Sequence, residues 1–334
     1  MPYAAHAPAA LRNAPFLGRT AVTRGLLTER QLGSQIWVRI LRGVYRHRDL
    51  PPTDAVRVAA LRLVLPPGAV VIGLTAAWLH GVWSPRAGNV VPLQYGRPVT
   101  ASGAGIRGTR YRRLELRPAY GFECDGTSDR CWGDVTEIHG VPVTSVLRTC
   151  FDLMRERALV EAVVVADAFA WAGKLQLPWL DAYVADRQGW PGVIQLRRAV
   201  DLSSHYARSP GETRVRMIIV LGGMPEPLIN PPVWSGTPAV LVAHPDLLLF
   251  NTPRVVGVEY DGAYHDNADQ RAADNRRENR LAVMADLPLL RYGAADVLHQ
   301  RSRVLGEIAQ FAGWRDTLEL DDRDFRRPPQ PLGW

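Results

Sequence analysis

The spacing of apolar and polar residues changes along the chain and first predicts a small mixed unit over residues 16–50. A short helix is predicted over 16–24, and a second helix begins after Thr28. Gln31 stands three residues after Thr28, which predicts a capping box in which each residue satisfies a backbone N–H of the other. The apolar strand formers around Gly43 then predict a β-ribbon with this glycine in its turn or bulge.

The order helix, turn, helix, ribbon is that of a winged helix, so residues 16–50 are predicted to form one. The preceding residues 1–15 are rich in Ala and Pro and predict a flexible N-terminus. We therefore expect the first ordered domain to begin near Phe16.

Residues 51–205 predict a middle α/β domain. Apolar residues at i, i+3 and i+4 over 54–65 predict a helix that ends before Pro66. Short apolar runs between 70 and 153 predict strands and short helices. Helices then dominate the rest of this stretch, with predicted bounds at 145–156, at 159–173 and after Leu177.

Residues 206–316 predict a compact core of helix, hairpin, helix and strand. Ser209 can cap a helix near 212–222, and the apolar runs 239–250 and 254–261 are separated by an Asn-Thr-Pro turn, which favours an antiparallel hairpin. A polar helix and a short strand follow, at 267–285 and 287–292. The chain is thus predicted to be an α/β multidomain protein with a mixed sheet in its last domain and a peripheral tail at 317–334.

The charge of the chain is concentrated near its N-terminus. The formal net charge is +7, and residues 1–60 contain nine Arg against three acidic residues. A basic segment favours polyanionic partners, so we expect DNA as a partner, with contacts mainly to phosphates. A solvated basic face without a ligand is the alternative. The candidate DNA-binding residues are Arg24, Arg30, Arg39, Arg42, Arg46 and Arg48.

Several other classes of protein are disfavoured by the sequence. No stretch approaches the roughly 20 apolar residues that span a bilayer, and no apolar signal core follows the N-terminus, so we expect a cytoplasmic protein without a membrane partner. The chain also lacks a Walker loop and a glycine fingerprint after a strand. A nucleotide-dependent enzyme is therefore not expected.

Acidic residues cluster on the predicted hairpin of the last domain. Alternate residues of a strand share a face, so Glu259 and Asp261 point to the same side of the sheet. If Asp246 lies beside them on the partner strand, three carboxylates converge, which is costly unless a cation such as Mg²⁺ binds there. Asp246 and Glu259 are the predicted metal ligands.

Two further residues complete the candidate catalytic set. His265 follows Asp261 closely enough to handle a proton, and Glu212 at a helix start can reach the same edge. In the alternative reading Asp246 and Asp261 merely bracket strand ends, while Glu259 pairs with an arginine such as Arg277 or Arg291.

The segment from Ser209 to Tyr292 resembles a domain related to the very-short-patch-repair endonucleases, a branch of the PD-(D/E)xK nuclease superfamily. The resemblance rests on five elements in order: Glu212, Asp246, the run from Glu259 through Asp261 to His265, Asp274 with Arg277, and Leu290 with Arg291. It implies a restriction-endonuclease-like core that hydrolyses phosphodiesters with Mg²⁺.

One position departs from the superfamily pattern. Asp261 occupies the place of the usual lysine, and the only lysine of the chain, Lys174, lies far from this segment. The repair-endonuclease branch uses histidine instead, so the resemblance transfers that role to His265.

The N-terminal segment resembles the winged helix of AbiEi-type antitoxins. The matching residues are Gly25-Leu-Leu, Gln31-Leu32 and Arg42-Gly-Val-Tyr45, and the runs at 76–82 and 141–153 resemble actinobacterial proteins that join both domains. Two functions follow from the resemblances: a DNA endonuclease targeted by its winged helix, or a non-catalytic, antitoxin-type regulator with a structural nuclease-like domain and a possible cognate toxin.

Overall fold

The computed structural model describes residues 8–84, 90–98, 113–114, 133–262 and 287–326, and shows a mixed α/β protein. The chain divides into two compact units. The first contains residues 1–153 and 174–190 with the last six residues, and the second contains 154–173 and 191–328. These units do not follow the predicted boundaries at 50/51 and 205/206, which stay predictions. None of the helices in the described ranges is long and apolar enough to cross a membrane.

The first unit begins with two short helices enclosed by strands. The elements are β1 (Phe16–Leu17), α1 (Gly18–Thr23), α2 (Glu29–Leu32), β2 (Trp37–Leu41) and β3 (Val44–His47). The strands form an antiparallel sheet in the order β1-β3-β2. The predicted helix over 16–24 is wrong at its start, because Phe16 and Leu17 pair with Tyr45 and Val44 as a strand.

Local signals in this segment are confirmed. The Thr28 hydroxyl accepts a hydrogen bond from the N–H of Gln31 at 3.2 Å, and the Gln31 side chain accepts one from the N–H of Thr28 at 2.8 Å. Gly43 lies in the β2–β3 turn at φ +77°, where a residue without a Cβ is favoured. Leu11, in the predicted flexible N-terminus, is instead buried with Phe16 and Trp37 in one apolar cluster.

The rest of the first unit is built on a five-stranded sheet. Its further elements are α3 (Asp54–Arg62), β4 (Val70–Val71), α4 (Gly73–Leu79), β5 (Tyr95–Pro98), β6 (Arg113–Leu114), β7 (Val135–Ile138), β8 (Val141–Thr144) and α5 (Val146–Arg155, whose end passes into the second unit), with α7 (Leu177–Ala185) after an intervening helix. The strand order is β6-β5-β4-β8-β7. Helix α3 ends three residues before the predicted end at 65.

A carboxylate with no solvent exposure, Asp134, anchors the helices of this unit. It forms ion pairs with Arg148 of α5 and with Arg187 after α7, both at 2.8 Å, and accepts a hydrogen bond from the Tyr183 hydroxyl. The Arg187 guanidinium also lies 3.3 Å from the centroid of the Tyr183 ring. These contacts join segments that are about fifty residues apart in sequence.

The second unit combines buried helices with a four-stranded mixed sheet. Its elements are α6 (Leu159–Trp171), α8 (Val193–Asp201), α9 (Pro210–Leu221), β9 (Leu228–Ile229), β10 (Val233–Ser235), β11 (Val240–Ala243), β12 (Leu247–Leu249), β13 (Val256–Asp261), β14 (Leu289–Gly293), α10 (Ala294–His299) and α11 (Arg301–Ala312). The sheet has the order β14-β13-β12-β9, with β14 parallel to β13 and the other pairs antiparallel.

The predicted antiparallel hairpin is confirmed between β12 and β13, but the run 239–250 is not one strand. Its first half, β11, pairs with β10 in a separate two-stranded hairpin, and only the second half joins the four-stranded sheet. Pro245 stands between the halves and has no N–H for a sheet ladder, which agrees with a break here. Strand β13 also begins at Val256, two residues after the predicted start.

Helix α9 and the end of the chain complete this unit. The predicted helix near 212–222 is confirmed as α9, and Gly211 allows it to approach the sheet because a Cβ there would lie 2.0 Å from the Tyr260 ring. The predicted helix 267–285 lies outside the described residues. The predicted peripheral tail is partly packed, since Phe325 is buried beneath the Arg301 guanidinium.

Candidate functional site

A cavity of about 630 Å³ opens over one face of the four-stranded sheet in the second unit. The β11 segment forms one wall, and the acidic ends of β12 and β13 form another. Its lining residues are Arg208, Asn230, Leu241, Val242, Ala243, His244, Asp246, Glu259, Tyr260, Asp261 and Arg291. Three of the five predicted catalytic residues therefore line one cavity.

The β12–β13 hairpin places Asp246 and Glu259 at one cavity. The antiparallel β12–β13 ladder ends at the pair Leu247 and Val258, so Asp246 and Glu259 are the next residues beyond this pair on the two segments. The Asp246 carboxylate also accepts a hydrogen bond of 2.8 Å from the N–H of Tyr260. The two predicted ligands therefore line the same cavity.

Glu259 has a cationic partner in this arrangement. Arg291 occupies the register position beside it on the parallel strand β14, and its Nε donates to Glu259 Oε2 at 3.0 Å. The side chain of Glu259 is 12% exposed and that of Arg291 is 28% exposed. The alternative to a metal site predicted from the sequence is that Glu259 pairs with an arginine such as Arg291, and this ion pair is present. The arginine also adds a positive charge to the acidic cavity.

Glu212 contributes to the cavity wall without lining the cavity. Its Oε2 accepts hydrogen bonds of 2.9 Å from the Arg208 N–H and from the Asn230 side-chain amide. The N–H of Asn230 in turn donates to the Asp246 carbonyl oxygen at 2.8 Å. Glu212 therefore holds in place two residues that line the cavity, and one of them fixes the backbone at Asp246.

Helix α9, which carries Glu212, is attached to α6 by buried ion pairs. Arg214 contacts both carboxylate oxygens of Glu161 at 2.7 and 3.0 Å, and Arg216 contacts Asp167 at 3.3 Å. Asp167 also accepts hydrogen bonds from the Ser204 N–H and the Thr213 hydroxyl. Burial raises the pKa of Asp167 to about 6, although Arg216 and these hydrogen bonds oppose that increase.

The raised pKa makes the stability of this unit depend on pH. Between about pH 4 and pH 6 the folded protein retains a proton on Asp167 that the unfolded chain releases. The stabilisation that comes from keeping Asp167 protonated in the folded state is complete below about pH 4 and is lost as the pH rises through about 6. We expect the free energy of unfolding of wild type to fall over this range relative to that of Asp167→Asn, in urea titrations at several pH values.

The matched control for this measurement is Asp201→Asn, at an exposed position on α8. Other titrating groups cancel in the difference between wild type and variant. A constant difference between wild type and Asp167→Asn from pH 4 to 7 would contradict the prediction.

The donor set of the cavity fits a hard divalent cation in part. Asp246, Glu259 and Asp261 supply carboxylate oxygens, which Mg²⁺ prefers, and Mg²⁺ commonly uses only one or two carboxylates with water and substrate phosphate as its other ligands. Among the residues that the structure describes, no group of three His, Cys, Asp or Glu side chains is close enough to hold a metal. The convergence of Asp246, Glu259 and Asp261 that the sequence predicts is therefore not found among the described residues, and Asp246 with Glu259 stays a predicted pair of ligands.

The other predicted residues have different outcomes. Asp261 is exposed at the end of β13 and lines the cavity, whereas His265 lies outside the described residues, as do Asp274 and Arg277. The sequence analysis did not identify Asn230, which lines the cavity. Its positive φ of +50°, a conformation in which Asn is enriched, is visible only in the folded chain.

The predicted DNA-binding arginines fall into two groups. Five are exposed on the first unit: Arg24, Arg30, Arg39, Arg42 and Arg48. Arg46 is half-buried, and its Nη1 donates to the carbonyl oxygens of His47 at 3.0 Å and Arg48 at 2.9 Å, so it braces the turn after β3. Burial also lowers the pKa of Arg46.

Comparison with known proteins adds no family assignment. No protein-family model matches the chain, and no curated protein matches it significantly. The resemblances to repair endonucleases and to antitoxin-type winged helices stay predictions from the sequence.

Proposed function

We propose that this chain is a DNA-binding protein whose second unit hydrolyses phosphodiester bonds in DNA with the help of Mg²⁺. The observation that carries the proposal is the cavity that Asp246, Glu259 and Asp261 line together beside the β12–β13 hairpin. Helix α9 on a mixed sheet, with acidic residues at the end of a hairpin, supports the proposal of a restriction-endonuclease-like core, which the family resemblance implies.

Each residue of the site has a distinct task in this proposal. Asp246 and Glu259 hold the cation, which supplies polarisation of a phosphoryl oxygen when bound. Asp261 adds negative charge at the cavity edge, and Glu212 keeps Asn230 and the backbone of Asp246 in position. From the sequence pattern, His265 handles the proton during attack on phosphorus.

Supercoiled plasmid provides the direct test of the activity. Purified protein with Mg²⁺ or Mn²⁺ is expected to convert it to nicked or linear forms, and excess EDTA is expected to prevent the conversion. A wild-type preparation that binds DNA but leaves plasmid intact at all metal concentrations would contradict the nuclease proposal.

The first unit is proposed to bind DNA through its exposed arginines, as a winged helix. The helices α1 and α2 followed by the β2–β3 hairpin support this proposal, and Arg39 and Arg42 are exposed on the hairpin. Because arginines outnumber the base-reading Asn and Gln side chains here, most contacts are expected to be with phosphates.

Replacing Arg39 and Arg42 together by Ala should weaken DNA binding and its salt dependence. Each lost phosphate contact reduces the slope of log K against log salt by about 0.9, so the double variant should lose roughly 2 from the slope. Fluorescence anisotropy with a labelled duplex at several salt concentrations measures both quantities.

A charge-matched control is Arg197→Ala with Arg315→Ala, two exposed positions of the second unit. This control should retain the wild-type slope. A flat salt dependence of the wild-type protein, or equal slopes for the two double variants, would rule out phosphate contacts at Arg39 and Arg42.

A non-catalytic regulator of the antitoxin type, with a cognate toxin as partner, is the second candidate. The Arg291–Glu259 ion pair favours it, because an arginine already neutralises one predicted metal ligand. Under this candidate the wild-type protein binds DNA with the salt dependence described above but binds no Mn²⁺ in the cavity and cleaves no plasmid.

A further inference from the structure

The described residues that line the cavity include two arginines and a histidine but no lysine. The lining includes Arg208, Arg291 and His244. The Arg208 guanidinium lies over the Trp171 ring, 5.7 Å from its centroid, whereas Arg291 contacts Glu259 directly. Arg291 therefore forms a direct ion pair with a proposed metal ligand.

We propose that Arg291 is an exchangeable counter-ion that binds Glu259 in the metal-free protein and binds a backbone phosphate of DNA once a divalent cation occupies Glu259. This inference rests on the proposed function and adds a substrate-contacting residue to it. It gives Arg291 a phosphate-binding role that is separate from the proton transfer proposed for His265.

The geometry supports such an exchange. Arg291 lies beside Glu259 in the parallel β13–β14 register, so its backbone is fixed, while its side chain remains 28% exposed at the cavity. A long arginine side chain can rotate about several bonds without moving the strand. Its planar guanidinium also matches the geometry of phosphate oxygens as well as that of carboxylates.

Charge balance gives the exchange its direction. A divalent cation on Glu259 repels the guanidinium, and the cation and Arg291 compete for the same carboxylate. A phosphate entering the cavity then offers the displaced guanidinium a new anionic partner. Metal and phosphate should therefore bind with positive coupling, and each should raise the affinity for the other by the same factor.

The test measures Mn²⁺ affinity without DNA, by calorimetric titration of the full-length protein. In Arg291→Gln the competitor of the cation is gone, so we expect Mn²⁺ to bind about three- to tenfold more tightly than in wild type. Arg291→Lys keeps the charge and should stay closer to the wild-type affinity. The matched control is Arg303→Gln, which removes an arginine paired with Asp296 and Glu307 away from the cavity lining.

A second measurement addresses the phosphate. With Ca²⁺ as a divalent ion to limit cleavage, Arg291→Gln should bind a short DNA duplex at least about tenfold more weakly than wild type, since it lacks a charged hydrogen bond to phosphate. The variant should thus gain metal affinity and lose DNA affinity. A simple loss of folded structure would lower both, and thermal melting of Arg291→Lys and Arg291→Gln identifies that case.

The outcomes separate the exchange from the nuclease proposal. Tighter Mn²⁺ binding with weaker DNA binding in Arg291→Gln supports the exchange even if the wild-type protein cleaves no plasmid. Unchanged or weaker Mn²⁺ binding in folded Arg291→Gln overturns the exchange even if plasmid is cleaved. If the wild-type protein binds no Mn²⁺, or if Asp246→Asn does not abolish the Mn²⁺ binding, both the exchange and the nuclease proposal are overturned.

Discussion

Replacing Asp246 by Asn is expected to abolish metal-dependent cleavage of plasmid DNA while leaving DNA affinity, measured with EDTA and no divalent cation, within about twofold of wild type. The substitution removes the negative charge of a proposed ligand but keeps an oxygen that can accept the hydrogen bond from the Tyr260 N–H. Loss of activity would therefore reflect the lost charge and not a displaced strand. Cleavage is followed by gel electrophoresis of supercoiled plasmid with Mg²⁺ or Mn²⁺.

The companion variants define what this result means. His265→Ala should slow cleavage by about 10² to 10⁴-fold because it removes a proton-handling group but no proposed ligand. Asp201→Asn, at an exposed position on α8, should cleave like wild type. Equal cleavage by wild type, Asp246→Asn and His265→Ala would indicate a contaminating nuclease and would favour the regulator.

Replacing Asp134 by Ala is expected to destabilise the first unit by about 3 to 5 kcal/mol, the usual cost of leaving buried cations without their counter-ion. Arg148 and Arg187 are both almost fully buried and both contact this carboxylate at 2.8 Å. The variant also leaves the Tyr183 hydroxyl without this acceptor. Urea denaturation followed by tryptophan fluorescence measures the change, since Trp190 lies 5.3 Å from the Arg148 guanidinium.

Asp186→Ala provides a matched control on the same arginine. Asp186 contacts Arg187 at 3.3 Å, but its side chain is 62% exposed, so its loss should cost less than about 1 kcal/mol. Similar effects of the two substitutions would show that the Asp134 network contributes no more than a surface pair.

Much of the local structure could be predicted because its signals lie within a few residues of each other. Thr28 and Gln31 form the capping box that their spacing predicts, and Ser209 caps α9 through the N–H of Glu212. The antiparallel pairing of β12 with β13 also follows from two apolar runs and a turn. Such features depend on short-range hydrogen bonds and periodicity, which the sequence displays directly.

The split of the run 239–250 shows where periodicity is insufficient. All of its strand-forming residues favour extended structure, yet β11 pairs with β10 and β12 pairs with β13. Apolar alternation does not identify the partner strand, which depends on the available edges and on breaks such as Pro245. The same limit applies to Phe16 and Leu17, which become a strand by pairing with β3.

For the candidate site, the types of chemical group and their order follow from the sequence: Glu259 and Asp261 at alternate positions of one strand, Asp246 before the partner strand, and an excess of arginines near the N-terminus. Which of these groups contact each other depends on the folded chain. Glu259 pairs with Arg291, 32 residues away, and Glu212 accepts a hydrogen bond from the Asn230 side chain. Arg46 donates a hydrogen bond to a carbonyl oxygen of the turn after β3. Charge and periodicity are properties of local sequence, whereas the partner of a charged side chain depends on how distant strands and helices pack.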